Sequence, residues 1–316
     1  MSKIKLSIAI KIRHWKYFKE HIYERIEEKC SEVDNNILRW FYQYCNDKSR
    51  CMILAIGEYK ELLNFQRELE SAFELAFPND GTFANVLDTH TEIRDDIIAF
   101  FGYKYFTSTK NVGKWSAYEF VGMLGLRVCS YCNRQYITMY KANNGRMRAD
   151  IDHFLPKSKY PYFSMSIYNL VLSCALCNRS FKGKKVLTEN APNPYEHDYN
   201  RMYYFYIDLP KIDCDDGCIR VVPAEESINE ILSMFHIKQI YQVHSNIAKE
   251  FIQKSISYPP ELVENLIKNT PINLYSNELK LQSALLGYPC KEDIYNDVLG
   301  KLKYDFAIQT GLANRL

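Results

Sequence analysis

The chain has 316 residues, 47% of them hydrophobic and 25% charged, with a formal net charge of +2. That is the makeup of an ordinary folded protein of about two domains, and it excludes a disordered or fibrous chain. No apolar run approaches the roughly 18 residues of a membrane span.

The N-terminal "MSKIKLSIAIKIRHWKYF" has a basic start, but its apolar stretch is broken by Lys11 and Arg13 and no small-residue cleavage site follows. No signal peptide is expected. The ten cysteines are therefore placed in a reducing cytoplasm, where paired cysteines serve as metal ligands more often than as disulfides. Residues 14–77 read as helical: Trp15, Phe18, Ile22 and Ile26 recur at three-to-four spacing, one face of a helix. "DNNILRWFYQYC" and "EYKELLNFQRELESAFELAF" repeat the pattern, and "PNDG" from Pro78 breaks it. A further helix is expected in "THTEIRDDIIAFFGYKYF", with Thr91 as N-cap and acids in the first turn. "KWSAYEFVGMLGL" is a short helix leading into the cysteines. After residue 185 comes an Asn- and Pro-rich loop, then "RMYYFYIDLP" and "CIRVVPA" as two strands around a "DDG" turn. Helical periodicity returns from "ESINEILSMF" onward.

The chemistry concentrates between these flanks. Cys129 and Cys132 form one Cys-x-x-Cys pair and Cys174 and Cys177 another. Two such knuckles offer four thiolates to a closed, tetrahedral structural zinc site; the bland alternative is four buried small hydrophobes. Between the pairs, "YITMY", "NNG" and "RMRADI" read as a hairpin with Asp152 and His153 at the end of its second strand. A strand–strand–helix unit is expected, with Asn169 and Asn178 among the polar residues that converge on it. Residues 127–185 also hold eleven Lys/Arg against two Asp, a basic island in an otherwise acidic chain. It is either a polyanion-facing surface or a solvated lysine face. Lys157, Lys159, Arg179, Lys182, Lys184 and Lys185 are the phosphate-contact candidates. "CDDGC", with Cys214 and Cys218, reads as a hairpin tip rather than a second metal site.

The joint pattern of "CSYC", "DHFLP" and "YNLVLSCALCN" resembles the HNH endonucleases of the zinc-clamped ββα-metal kind, over about a fifth of the chain. The periodicity reads as a mainly α protein with a small α+β centre: a helical region at 1–115, the centre at 116–195, and a mainly helical region with a short hairpin at 196–316; the resemblance implies that the centre is an HNH domain with a four-cysteine zinc site. It assigns His153 as the first family His, Asn169 as the middle Asn and Asn178 at the third position, where the literal pattern has His. The HNH domain of RNA-guided CRISPR nucleases departs in the same way. A neutral imidazole at His153 suits a general base that takes a proton from water near neutral pH. Asp152 and Asn178 are hard oxygen donors suited to one hydrated Mg²⁺ or Mn²⁺, and Asn169 would orient His153.

The expected activity is therefore metal-dependent phosphodiester hydrolysis of DNA. RNA of the tRNA type, cut by a toxin-like endonuclease, is the alternative substrate, and a non-catalytic zinc module that only binds nucleic acid is the alternative function. A zinc-clamped centre in a chain of this size also resembles the nuclease subunits of Septu-type bacterial antiphage systems, which act beside an ABC-type ATPase. This chain has no P-loop, so that ATPase would be a separate protein.

Overall fold

The computed structural model describes residues 3–109, 114–142, 145–213, 217–270, 275 and 277–314. The chain is mainly α with a small α+β centre. Among the described residues the strands form three two-stranded antiparallel sheets, and a buried hydrophobic cluster runs from Ile4 to Leu312. All three segments expected from the sequence contribute to that cluster.

The N-terminal helices are Ile8–His21, Ile26–Glu32, Asn36–Cys45, Lys48–Ile56 and Tyr59–Ala76. Their starts are capped by nearby side chains. Ser7, Asn35 and Asp47 accept backbone N–H groups of the first turns, and Glu58 with Glu61 forms a reciprocal capping box. Phe18, Ile22 and Ile26 are buried as their spacing requires. Thr91 is not the N-cap of its helix. The helix spans Thr91–Phe100, and His90 holds the cap position without a side-chain bond. The short helix before the cysteines spans Ala117–Leu124.

The centre departs from the expected hairpin. Strands β1 (Tyr140–Ala142) and β2 (Gly145–Met147) pair with each other, and the Asn143–Asn144 turn lies outside the described residues. Asp152 and His153 stand on a separate strand, β3 (Asp150–His153), which pairs with β4 (Leu170–Ser173) in the register Asp152↔Val171 and His153↔Leu170. A short π-helix, Leu176–Lys182, follows β4. The strand–strand–helix unit therefore exists, but its first two strands are joined by the buried loop 154–169, not by a tight turn. The loop is not an autonomous hairpin because neighbouring helices hold it. Tyr162 packs against Phe41, Phe65 and Phe83 at 6.1–6.3 Å between ring centroids, and Tyr59 meets Phe154 edge-on at 5.4 Å. The expected C-terminal hairpin is present as β5 (Tyr203–Ile207) and β6 (Ile219–Pro223); Cys214 at its tip lies outside the described residues. Among the described residues no helix is long and apolar enough to cross a membrane.

Candidate metal centre and the His153 site

The two knuckles meet. The sulfurs of Cys129, Cys132, Cys174 and Cys177 all lie within 4.8 Å of one another, and all four residues are buried. Backbone N–H groups point at them: Cys174 N–H to Cys129 Sγ at 3.3 Å, Arg134 N–H to Cys132 Sγ at 3.4 Å and Cys177 N–H to Cys174 Sγ at 3.5 Å. Those bonds favour thiolates, which is what a metal ligand must be. Left to share protons, the thiols diverge. Bonds from Cys129, Cys132 and Cys177 pull Cys174 far below the usual thiol range, while bonds from Cys129, Cys132 and Cys174 push Cys177 above it. This group can hold a metal such as zinc.

Asp152 faces away from solvent, 3% exposed. Tyr131, inside the first knuckle, donates its hydroxyl to Asp152 Oδ2 at 2.6 Å. Lys182 reaches back from the π-helix, its Nζ 3.0 Å from Asp152 Oδ1 and 2.6 Å from the His153 carbonyl. Lys182 is 1% exposed, so it cannot be a phosphate contact; the expectation is corrected. Its position in a run of basic residues gave no sign of burial, and its partner lies 30 residues upstream. Gly183, at φ +53°, lets the chain turn immediately after this lysine.

Asn178 does not join Asp152. Its Nδ2 donates to Asp150 Oδ2 at 3.3 Å, where Arg179 also binds through two bonds of 2.7 and 2.8 Å. Burial alone would raise the Asp150 pKa, but Arg179 and Asn178 outweigh it and hold the carboxyl below its ordinary range. Lys157 and Lys159 are half-buried, while Lys184 and Lys185 are exposed.

His153 occupies the other side of β3. Its Nε2 lies 3.0 Å from the Ser164 carbonyl. A carbonyl only accepts, so Nε2 carries the proton and the neutral ring presents a bare Nδ1, which bonds to no described residue. Burial, with the charges of Lys157 and Lys182, lowers the ring's pKa to about 3. Tyr103 stands edge-on to the imidazole at 4.4 Å, and the Lys157 ammonium lies 5.0 Å from the Tyr103 ring. Burial also raises the Tyr103 pKa to about 12. Asn169 makes no bond to the imidazole. It staples the loop that carries the acceptor: Oδ1 accepts Leu155 N–H at 2.6 Å, and Nδ2 donates to the Leu155 and Phe163 carbonyls at 3.0 Å.

Sequence reading missed Tyr103, Tyr131, Asp150 and His14. The last is fully buried. Its Nε2 donates to the Met165 carbonyl at 2.7 Å, and its Nδ1 accepts the Trp115 indole N–H at 3.1 Å. Ser166 Oγ donates to the Leu54 carbonyl at 2.5 Å. Residues 164, 165 and 166 are thus each fixed, and 164 is the seat of His153. Two of these had a visible signal: Asp150 through its two-residue spacing from Asp152 on a strand, and His14 through its four-residue spacing from Ile10 and Phe18 on a helix face. Comparison with protein-family models, with curated proteins and with solved structures gave no match.

Proposed function

We propose that the chain is an HNH-type endonuclease that hydrolyses phosphodiester bonds in DNA, with His153 as general base. The observation that carries this reading is His153 itself. It stands at the end of a strand in a strand–strand–helix unit closed by four cysteines, with its tautomer set so that Nδ1 is free. Zinc fits the cysteines: four soft thiolates with N–H···S support form a closed site, and zinc there would fold the centre without taking part in the chemistry. In the reaction His153 Nδ1 accepts a proton from water, the hydroxide attacks phosphorus, and the P–O bond to the leaving oxygen breaks. The leaving alkoxide takes a proton from solvent. The approaching phosphate is negative, and Lys157 supplies positive charge beside the base. The same phosphate charge raises the affinity of His153 for a proton as the base is needed.

Magnesium or manganese does not fit the residues as they stand. Both Asp152 oxygens carry donors, one of them an ammonium, and Asn178 is turned to Asp150. That closed pair favours a second reading, a zinc-held module that binds nucleic acid without cutting it. The sequence resemblance alone supports the wider role, a cytoplasmic effector nuclease of bacterial antiphage defence beside a separate ABC-type ATPase. Incubating the purified protein and His153→Ala with plasmid DNA and with total RNA, in Mg²⁺ and in EDTA, tests the proposal. Cleavage by the wild type alone supports it. Equal cleavage by both removes His153 from the mechanism, and binding without cleavage in any condition leaves the zinc module.

A further inference from the structure

The molecule has a cleft that the His153 chemistry does not use. It lies between helix Ile8–His21 and the segment around Tyr105 and Trp115, with a volume of about 430 Å³. Arg13, Lys16, Lys114, His21, Tyr105 and Trp115 line it, with Tyr17 and Glu20 on the helix side. Arg13, Lys16, Tyr17, Glu20 and His21 are three and four residues apart, so one helical face presents them together. Three full positive charges meet one carboxylate, and Glu20 lies 3.9 Å from Lys16. The cleft is a net attractor of anions.

Its aromatic wall is set in advance. Trp115 spends its indole N–H on the buried His14, which is itself pinned to the Met165 carbonyl. Tyr17 and His21 stack at 4.2 Å with 14° between their planes, and His21 Nδ1 lies 3.0 Å from the Tyr17 carbonyl. Tyr105 is 49% exposed beside them, with its ring centroid 5.9 Å from that of His21. A pre-positioned aromatic wall lowers the ordering cost of binding a flat ring, and base–aromatic stacking contributes about 1–3 kcal/mol per base. The volume falls in the range of roughly 300–1,000 Å³ typical of small-molecule sites.

A planar ring and an anion are thus accommodated together. We propose that this cleft is a nucleotide site, the base against Tyr105 and Trp115 and the phosphate on Arg13, Lys16 and Lys114. A free mononucleotide and the 5′-phosphorylated end of a strand share this chemistry. The site does not depend on the nuclease reading.

Calorimetric titration of the full chain decides it, using His153→Ala so that no strand can be cut. The probes are adenosine 5′-monophosphate, adenosine, inorganic phosphate and a 5′-phosphorylated trinucleotide. The expected result is one site per chain, with the monophosphate at least tenfold tighter than adenosine or phosphate. Arg13→Gln with Lys16→Gln should weaken it tenfold or more at an unchanged melting temperature, since both side chains are exposed. Trp115→Phe, which keeps a ring but frees it from His14, should weaken it less. A trinucleotide tenfold tighter than the monophosphate identifies a strand end as the occupant, and otherwise the occupant is the free nucleotide. No heat with either nucleotide at millimolar concentration overturns the proposal. So does phosphate binding as tightly as the monophosphate, or affinity unchanged in the double variant.

Discussion

Protonating His14 should weaken the fold measurably, and the size follows from its surroundings. Burial lowers its pKa from 6.5 to about 4, offset in part by the bond to Met165. Its neighbours are Trp115, Phe106 and the Met165 carbonyl, and no charged side chain enters the shift. The unfolded chain takes up this proton as pH falls through 6.5, while the folded chain resists until about pH 4. The contribution is therefore fully present above pH 6.5 and is lost as the pH drops below it. At pH 5, about 1.5 units below the unfolded value, the loss is about 2 kcal/mol at roughly 1.36 kcal/mol per unit. For a chain of this length, with an unfolding entropy of about 2.1 cal/mol/K per residue, that is about 3 °C in melting temperature. Other groups titrate over the same range, so the test is a difference. Calorimetric melting at about pH 7.5 and pH 5 is compared between wild type and His14→Gln, whose amide can still donate to Met165. The variant should lose about 3 °C less than the wild type. Equal losses, or an imidazole that titrates near its ordinary value by NMR, would show that His14 is not held neutral by burial.

Lys182→Met should destabilise by about 3–5 kcal/mol, because it leaves the Asp152 carboxylate buried without its cation; Lys184→Gln should cost less than about 0.5 kcal/mol. Chemical denaturation separates the two. If the basic island binds duplex DNA, replacing Lys184 and Lys185 by Gln should flatten the salt dependence of log K by about two units; an unchanged slope in a binding titration would make them solvated bystanders. Cys174→Ala should abolish stoichiometric metal and unfold the centre, since structural zinc contributes on the order of 10–16 kcal/mol. Elemental analysis of the wild type finding no zinc would remove the basis for this expectation. The kcat/KM of the wild type, which reports the free enzyme, should show no acid limb near pH 6.5, because the lowered His153 pKa keeps the free base neutral well below that. A pH–rate profile that falls through the ordinary histidine range contradicts the assignment.

What could be read from the sequence was local. Helical faces showed because Phe18, Ile22 and Ile26 recur at three-to-four spacing and are buried, whereas helix starts did not: the first helix begins at Ile8, ahead of the expected residue 14, and the one expected cap, Thr91, is already helical. The cysteine pairs showed because knuckle spacing is itself a metal signature. The partner of β3 did not show. A four-residue strand has almost no periodicity to read, and the nearest candidate, the "NNG" hairpin, was a stronger local signal than a pairing across the 154–169 loop. Lys182 failed for a related reason: a lysine in "KGKK" looks solvated until a carboxylate far upstream is folded against it. Tyr131 and Tyr103 are two of 25 tyrosines, and nothing in their neighbours marks the one that meets Asp152 or the one that meets His153. His14 lies four residues from both Ile10 and Phe18, on the buried face of its helix, so its position was legible; its partners, the Met165 carbonyl and the Trp115 indole, lie 151 and 101 residues away and were not.

One further contact links distant parts of the chain. Asn133, held at φ +49° between Cys132 and Arg134, accepts Leu299 N–H on its carbonyl at 2.7 Å and Lys301 N–H on its Oδ1 at 3.0 Å. The first knuckle therefore gives helix Gly300–Gln309 part of its N-terminal capping. A ribosome releases Asn133 well before it makes Leu299. At the roughly 5–20 residues per second of translation, the knuckle waits about ten to thirty seconds for the segment that completes its bonding. During that interval the four thiols of the metal centre, two of them in this knuckle, are open to oxidation, and early metal capture protects them. Growth in limiting zinc should therefore lower the yield of folded chain more than it lowers the stability of chain already made.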